Sequence, residues 1–259
     1  MSKNLLLCLL LITGTFAVKA QKNVNFVPFA ENLYIAKFEV TNGDYRQFID
    51  QTKNSLAVEQ LAALLPDSTQ WVEKFKSGFN EPMTKVYHWH PAFDDYPVVN
   101  ITKEGMLGYC KWLADQYNAH KKRQFKKVAF RLPTNEEWMM ISTPLPGHNL
   151  PWYGAYPYTM DKANKVQMRA NLKIKDSKTG EFNYMTDGAM YTSQVGVYEA
   201  NGLGIYDVIG NVAEFTGDGH IKGGSWANTL AESTIEKEQN FNLPDPRVGF
   251  RLVMVVVEK

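Results

Sequence analysis

Gly202-Leu203-Gly204-Ile205-Tyr206-Asp207-Val208-Ile209-Gly210-Asn211-Val212-Ala213-Glu214-Phe215 is the stretch whose reading decides the fold. It is followed by Gly223-Gly224-Ser225-Trp226 and, near the end of the sequence, by Val248-Gly249-Phe250-Arg251. Gly210-Asn211 is a turn dipeptide that reverses the chain, so flanking carbonyls can converge on one point. Asp207 and Glu214 stand on either side of it. The same mixture of Gly, Asn, Asp and Pro with single aromatic residues runs from Pro144 to about residue 250, and helix signals largely vanish there. Backbone groups in such a stretch are satisfied by short strands, turns and bound ions.

Upstream the pattern is more regular. Leu33 to Val40 alternates as a half-buried strand does. Thr41 can cap a helix with Asp44 in its first turn and Tyr45, Phe48 and Ile49 on one face. Residues 51–96, rich in aromatics and broken by Pro66, Pro82 and Pro91, read as irregular. A helix is predicted from after Thr102 to about Asn118, with Met106, Cys110, Leu113 and Tyr117 inward. Thr134-Asn135-Glu136-Glu137 is a capping box, and the helix behind it carries Trp138 and Ile141 and stops before Pro144.

The 259 residues carry a formal net charge of +1, which leaves no field for nucleic acid or anionic lipid. Hydrophobic residues are 44% and aromatics 13%, enough for a sizeable core. Residues 1–20 read as a signal peptide: Lys3, an apolar run from Leu5 to Phe16, then Val18-Lys19-Ala20. The run is too short to span a membrane, which takes about 20 residues. Cys8 lies inside it instead of closing it, so the chain reads as exported and not lipidated there. Residues 21–259 are then one loop-rich α+β domain with no transmembrane segment and one cysteine, Cys110, on the apolar face of a helix. His88-Trp89-His90 lacks a third zinc ligand and reads as a polar loop, and Ser225 lacks a nucleophile-elbow context.

Further blocks precede the C-terminal three: Glu39-Val40-Thr41-Asn42-Gly43-Asp44-Tyr45, then Tyr96-Pro97-Val98-Val99-Asn100-Ile101 with Tyr109-Cys110-Lys111-Trp112, then Phe130-Arg131-Leu132-Pro133-Thr134-Asn135-Glu136-Glu137-Trp138. Together and in this order they resemble the formylglycine-generating, or sulfatase-modifying factor, family. The resemblance implies a C-type-lectin-like fold of low regular secondary structure. It also implies two structural calcium ions. The first would take side-chain oxygens of Asn171 and Asp187 with carbonyls of Leu172 and Ala189. The second would take carboxylates of Asp207 and Glu214 with carbonyls of Gly210 and Val212.

The family's enzymes hold copper(I) through a cysteine pair just after the Gly-Gly-Ser block. Here that segment is Ala227-Asn228-Thr229-Leu230-Ala231-Glu232. Oxygen ligands do not replace soft thiolates for copper(I), so no copper and no catalytic residue are expected. Trp226, Asn228 and the Gly223-Gly224-Ser225 backbone are expected to line the vacated substrate groove. Aromatic-rich loops around Trp71, Tyr87, Trp89 and Trp152 could provide protein contacts, with core packing the favoured reading of any single ring. Leu65-Pro66-Asp67-Ser68-Thr69-Gln70-Trp71, Asn80-Glu81-Pro82-Met83 and His90-Pro91-Ala92-Phe93-Asp94-Asp95-Tyr96-Pro97 resemble gliding-motility lipoproteins of the type IX secretion machinery. The expectation is an inactive, calcium-stabilised binding or assembly component of the bacterial envelope with a protein partner, periplasmic, outer-membrane-associated or extracellular. Two alternatives stand beside it: an oxidoreductase with a rebuilt centre, and a lectin-like glycan-binding module.

Overall fold

Val253-Met254-Val255-Val256-Val257-Glu258 carries four valines in six residues, and β-branched side chains favour a pleated, packed strand. In the computed structural model it is strand β11 (Val253–Glu258), paired antiparallel with β2 (Leu33–Ala36) on one side and β3 (Lys127–Arg131) on the other. Strand β1 (Phe26–Ala30) closes the sheet in the order β1-β2-β11-β3. The structure describes residues 26–259 apart from 77, 79, 144–146, 176–178, 184 and 186. The expected signal peptide, with Cys8, lies outside the described residues.

Side chains alternate across this sheet and divide the interior in two. Ala36, Val128, Phe130 and Met254 face one core, with Tyr45, Phe48 and Ile49 of α1 (Asn42–Thr52) and Met106, Tyr109, Cys110 and Leu113 of α5 (Lys103–Ala119). Both helices start where the sequence predicts. Thr41 Oγ1 accepts from Asp44 N at 3.2 Å and Thr102 Oγ1 from Gly105 N at 3.0 Å. Ile35 and Val253 face the second core, with Trp138 and Ile141 of α6 (Asn135–Ser142) and Ile205, Val208 and Ile209. The capping box of α6 closes in both directions: Glu137 N donates to Thr134 Oγ1 (3.1 Å) and Thr134 N to Glu137 Oε2 (2.9 Å).

Residues 51–96 differ from the irregular reading. They hold three short helices, α2 (Val58–Leu64), α3 (Gln70–Glu73) and α4 (Glu81–Val86, with Pro82 in its first turn). Each is too short for a 3.6-residue period to emerge from the sequence. They deliver Trp71 and Tyr87 to a third cluster, with Val99, Val212 and Trp226.

After α6 no α-helix occurs among the described residues. The chain runs through two ribbons, β4 (Tyr158–Met160) with β5 (Val166–Met168) and β6 (Ile174–Lys175) with β7 (Phe182–Asn183). A small sheet follows, in the order β10 (Val248–Gly249), β8 (Ala213–Phe215), β9 (Ile221–Lys222). No helix of the described residues is long and apolar enough to cross a membrane.

Candidate functional site

The sequence blocks converge on one buried charged network between the cores. Arg251 and Glu214 are both fully buried. Arg251 Nη2 donates to Glu214 Oε1 at 2.6 Å and its Nε to Oε2 at 3.0 Å. Trp138 Nε1 donates to the same Oε2 at 2.8 Å. The remaining guanidinium donors reach the carbonyls of Ala36, Lys37 and Tyr206. Asn211 Nδ2 donates to Glu39 Oε1 at 3.0 Å, and Asn211 Oδ1 accepts from Ser193 N at 2.9 Å. Glu39, Trp138, Asn211, Glu214 and Arg251 come from four of the blocks, so the motifs are largely the wiring that joins the two halves of the chain.

Glu39 was not singled out by sequence reasoning. Its signal was a lone carboxylate between Phe38 and Val40 in an apolar run. It is 2% exposed with Oε2 unpartnered, and burial first, then the Asp207 charge, holds its pKa well above the usual carboxylate range. Asp207 is pushed up to about 6, mainly by burial.

Gly223 and Gly224, at φ 85° and 67°, turn the chain into Ser225-Trp226. A Cβ on Gly223 would sit 2.5 Å from Val208 O. Ser225 is fully buried, and its N and Oγ donate to Asn228 Oδ1 at 3.0 and 2.8 Å. Trp226 is 3% exposed and packs on Phe75 and Tyr191, ring centroids 5.1 Å from each, and on Trp71 at 6.4 Å. Trp226 and Ser225 therefore belong to the interior instead of lining a groove, while Asn228 is half-buried. For the aromatic loops, core packing, the favoured reading of each single ring, holds for three of the four. Trp71, Tyr87 and Trp152 are buried, and of that set Trp89 alone is exposed.

His88 is likewise an interior residue and no polar loop. Its Nε2 donates to Val99 O (3.1 Å) and its Nδ1 accepts from Ser68 Oγ (3.2 Å). Cys110 is buried among apolar neighbours that push its thiol up to about 12, which keeps it protonated and inert, as its helix face predicted.

Residues 7–256 match the Sulfatase-modifying factor enzyme 1-like domain. The chain belongs to that family. It is 24% identical to the formylglycine-generating enzyme of Mus musculus over 213 residues, 73% of this chain and 49% of that protein. It is 25% identical to the inactive C-alpha-formylglycine-generating enzyme 2 of Bos taurus over 266 residues, 89% of this chain and 78% of that protein. The chain thus spans about half the length of the mouse enzyme and most of the bovine inactive relative. PvdO from Pseudomonas aeruginosa shares the fold, with a TM-score of 0.58 at 17% identity over 86% of this chain and 80% of that one. The α+β sulfatase-modifying-factor fold read from the sequence stands.

The family's two metals can be tested against these residues. Copper(I) does not fit: Cys110 is the one cysteine among the described residues, and it packs in a different core from Trp226. For calcium, no three His, Cys, Asp or Glu side chains among the described residues are grouped to hold an ion, so amide and carbonyl oxygens would supply most of the shell.

The first set comes together. Leu172 N donates to Asp187 Oδ2 (2.6 Å), Ala189 N donates to Asp187 Oδ1 (3.2 Å), and Asn171 Oδ1 is buried without a partner. Each Asp187 oxygen keeps a second lone pair, so the side-chain oxygens of Asp187 and Asn171 suit a hard cation, while the contacts to Leu172 and Ala189 run through their N–H groups and not through the carbonyls expected as ligands. The second set fits less well. Asp207 Oδ1 is unpartnered, with Oδ2 accepting from Gly196 N at 2.6 Å. Glu214, however, already accepts from Arg251 and Trp138, and the guanidinium supplies its positive charge.

Proposed function

We propose that this chain is a non-catalytic member of the sulfatase-modifying factor family, exported and used as a binding or assembly component of the bacterial envelope. One observation carries the reading: Asn228 follows Ser225-Trp226-Ala227 where the family's enzymes carry sulfur, and aromatic rings fill the space around Trp226. The relatives include proteins themselves described as inactive formylglycine-generating enzymes, and the chain covers 78% of the bovine one. The signal-peptide pattern of residues 1–20 supports export. The blocks that resemble gliding-motility lipoproteins support a link to the type IX secretion machinery. A structural calcium ion at Asn171, Leu172, Asp187 and Ala189 belongs to the same proposal.

The test is an oxidation assay on a cysteine-containing sulfatase peptide, with the protein alone and loaded with copper(I). No formylglycine should form in either. Turnover would overturn the reading in favour of an oxidoreductase with a rebuilt centre.

A further inference from the structure

Strands β4 and β5 form a ribbon whose apolar face looks outward. Tyr158 pairs with Met168, Thr159 with Gln167 and Met160 with Val166. By the two-residue period of strands, Tyr158, Met160, Val166 and Met168 share one face. Tyr158 is 40% exposed, Met160 57% and Val166 56%, and Tyr156, 65% exposed, lies beside Tyr158 with ring centroids 5.4 Å apart. A ribbon that folds for its own stability turns such a face inward.

The ribbon is well specified. Asp161 N donates to Lys165 O (2.9 Å), and Asp161 Oδ1 accepts from Ala163 N (2.8 Å) and Lys165 N (2.9 Å). At the base Arg169 N donates to Pro157 O (2.8 Å) and Arg169 Nη1 to Tyr153 O (2.8 Å).

Those bonds also fix which main-chain groups point outward. With Asp161–Lys165 and Pro157–Arg169 bonded, Thr159–Gln167 is the hydrogen-bonded pair in the alternation, and Tyr158, Met160, Val166 and Met168 direct their N–H and C=O groups to the outer edges. Among the described residues no third strand pairs with either edge. The same four residues thus present apolar side chains on one face and hydrogen-bonding groups at the rim.

Area and charge select the occupant. The exposed side chains amount to roughly 500 Å², counting an aromatic as about 200 Å² when fully exposed. That falls short of the ~800 Å² per partner of a stable interface between folded proteins, so a second copy of this chain is disfavoured. An added strand supplements a small apolar area with main-chain hydrogen bonds. Lys162 and Lys165 stand at the ribbon's turn, where the acid of the turn, Asp161, is engaged by main-chain N–H groups, and at the base Glu199 is paired with Arg169.

We infer that the β4–β5 ribbon is a docking edge for an extended acidic segment of a partner protein, whose alternate apolar side chains cover Tyr158, Met160, Val166 and Met168. The inference rests on the non-catalytic reading only for its biological sense; turnover in the oxidation assay would remove that reading and leave strand docking to be judged separately.

The probe is a fluorescein-labelled octapeptide alternating Val and Glu, titrated with the full mature chain and followed by anisotropy. Saturable binding is expected, with the Val–Lys counterpart weaker by about tenfold or more. N-methylation of alternate peptide amides should abolish binding. The double variant Tyr158→Ser, Met160→Ser should weaken it about tenfold with an unchanged melting temperature, since both side chains are exposed. No binding, equal binding of both peptides, or full binding by the double variant would each overturn the inference. So would a concentration-dependent dimer that the double variant abolishes, which would make a second copy the occupant.

Discussion

Arg251 and Glu214 form an ion pair with both side chains fully sealed from solvent, Nη2 2.6 Å from Oε1. The pair joins a residue two positions before β11 to the middle of β8, and through Trp138 and the carbonyls of Ala36, Lys37 and Tyr206 it reaches α6, β2 and the loop at residue 206. Burying two charges is costly, and satisfying the remaining guanidinium donors with carbonyls and a carboxylate oxygen with an indole N–H is what makes the arrangement tenable. Removing one partner strands the other. Arg251→Met should therefore destabilise by about 3–5 kcal/mol in urea titration, far beyond an exposed pair such as Lys111–Asp115. A loss below about 1 kcal/mol would show that Glu214 finds another partner or a proton.

His88 makes one contribution to the pH dependence, opposite in sign to that of the raised carboxyls of Glu39 and Asp207. Burial lowers its pKa from 6.5 to about 4, because a charged ring would lose water with only Val99 O and the distant Asp67 charge in return. Folded pKa lies below unfolded pKa, so the unfolded chain binds the extra proton between them. The contribution of His88 is then fully present above about pH 6.5 and is lost as pH falls toward 4, by roughly 3 kcal/mol. In urea titrations from pH 7.5 to 4.5 the native chain should lose about that much stability relative to His88→Gln. Parallel profiles would remove His88 as the cause.

How much of this was legible in the sequence follows from the range of each interaction. Thr41, Thr102 and Thr134 cap their helices as read, because a cap is decided within three residues. The short helices carrying Trp71 and Tyr87 were missed because their packing partners, such as Tyr191 and Trp226, lie more than 100 residues away. Glu39 was passed over for the same reason: its partner Asn211 is 172 positions distant. The candidate ligands were legible only through the family blocks, and the commitment of Glu214 to Arg251 appears only when both ends of the chain are placed together. Exposure of the β4–β5 face was not readable either, since Tyr, Met and Val in alternation look the same whether the face turns in or out.

Calcium at the first set has a measurable consequence. Extracellular calcium modules bind at roughly 0.1–1 mM, and a tenfold excess over the dissociation constant adds about 1.4 kcal/mol. For a domain of this size that is a rise in melting temperature of about 4 °C. Calorimetry in calcium and in chelator should differ by this amount for the native chain. Asp187→Asn, which keeps the shape and removes the charge, should abolish the difference. Identical curves for the native chain in the two buffers would dismiss the ion.

Gly210 connects the two candidate sets sterically, and a paired substitution separates backbone strain from collision. Gly210 and Gly204 both sit at positive φ, 81° and 76°, which alone costs a side chain about 1 kcal/mol. A Cβ on Gly204 meets nothing within 4 Å, whereas on Gly210 it would lie 2.3 Å from Asn171 O and 3.0 Å from Asn171 C. Those are main-chain atoms, and Asn171 O is fixed by accepting from Asn211 N at 2.9 Å. Gly204→Ala should therefore cost about 1 kcal/mol in urea titration, and Gly210→Ala about 3 kcal/mol or more. Because the collision displaces Asn171, Gly210→Ala should also lose the calcium-dependent rise in melting temperature that Gly204→Ala keeps. Equal losses in the two variants would mean that the main chain at Asn171 yields to the new methyl group, and the close approach would then have no part in holding the first set together.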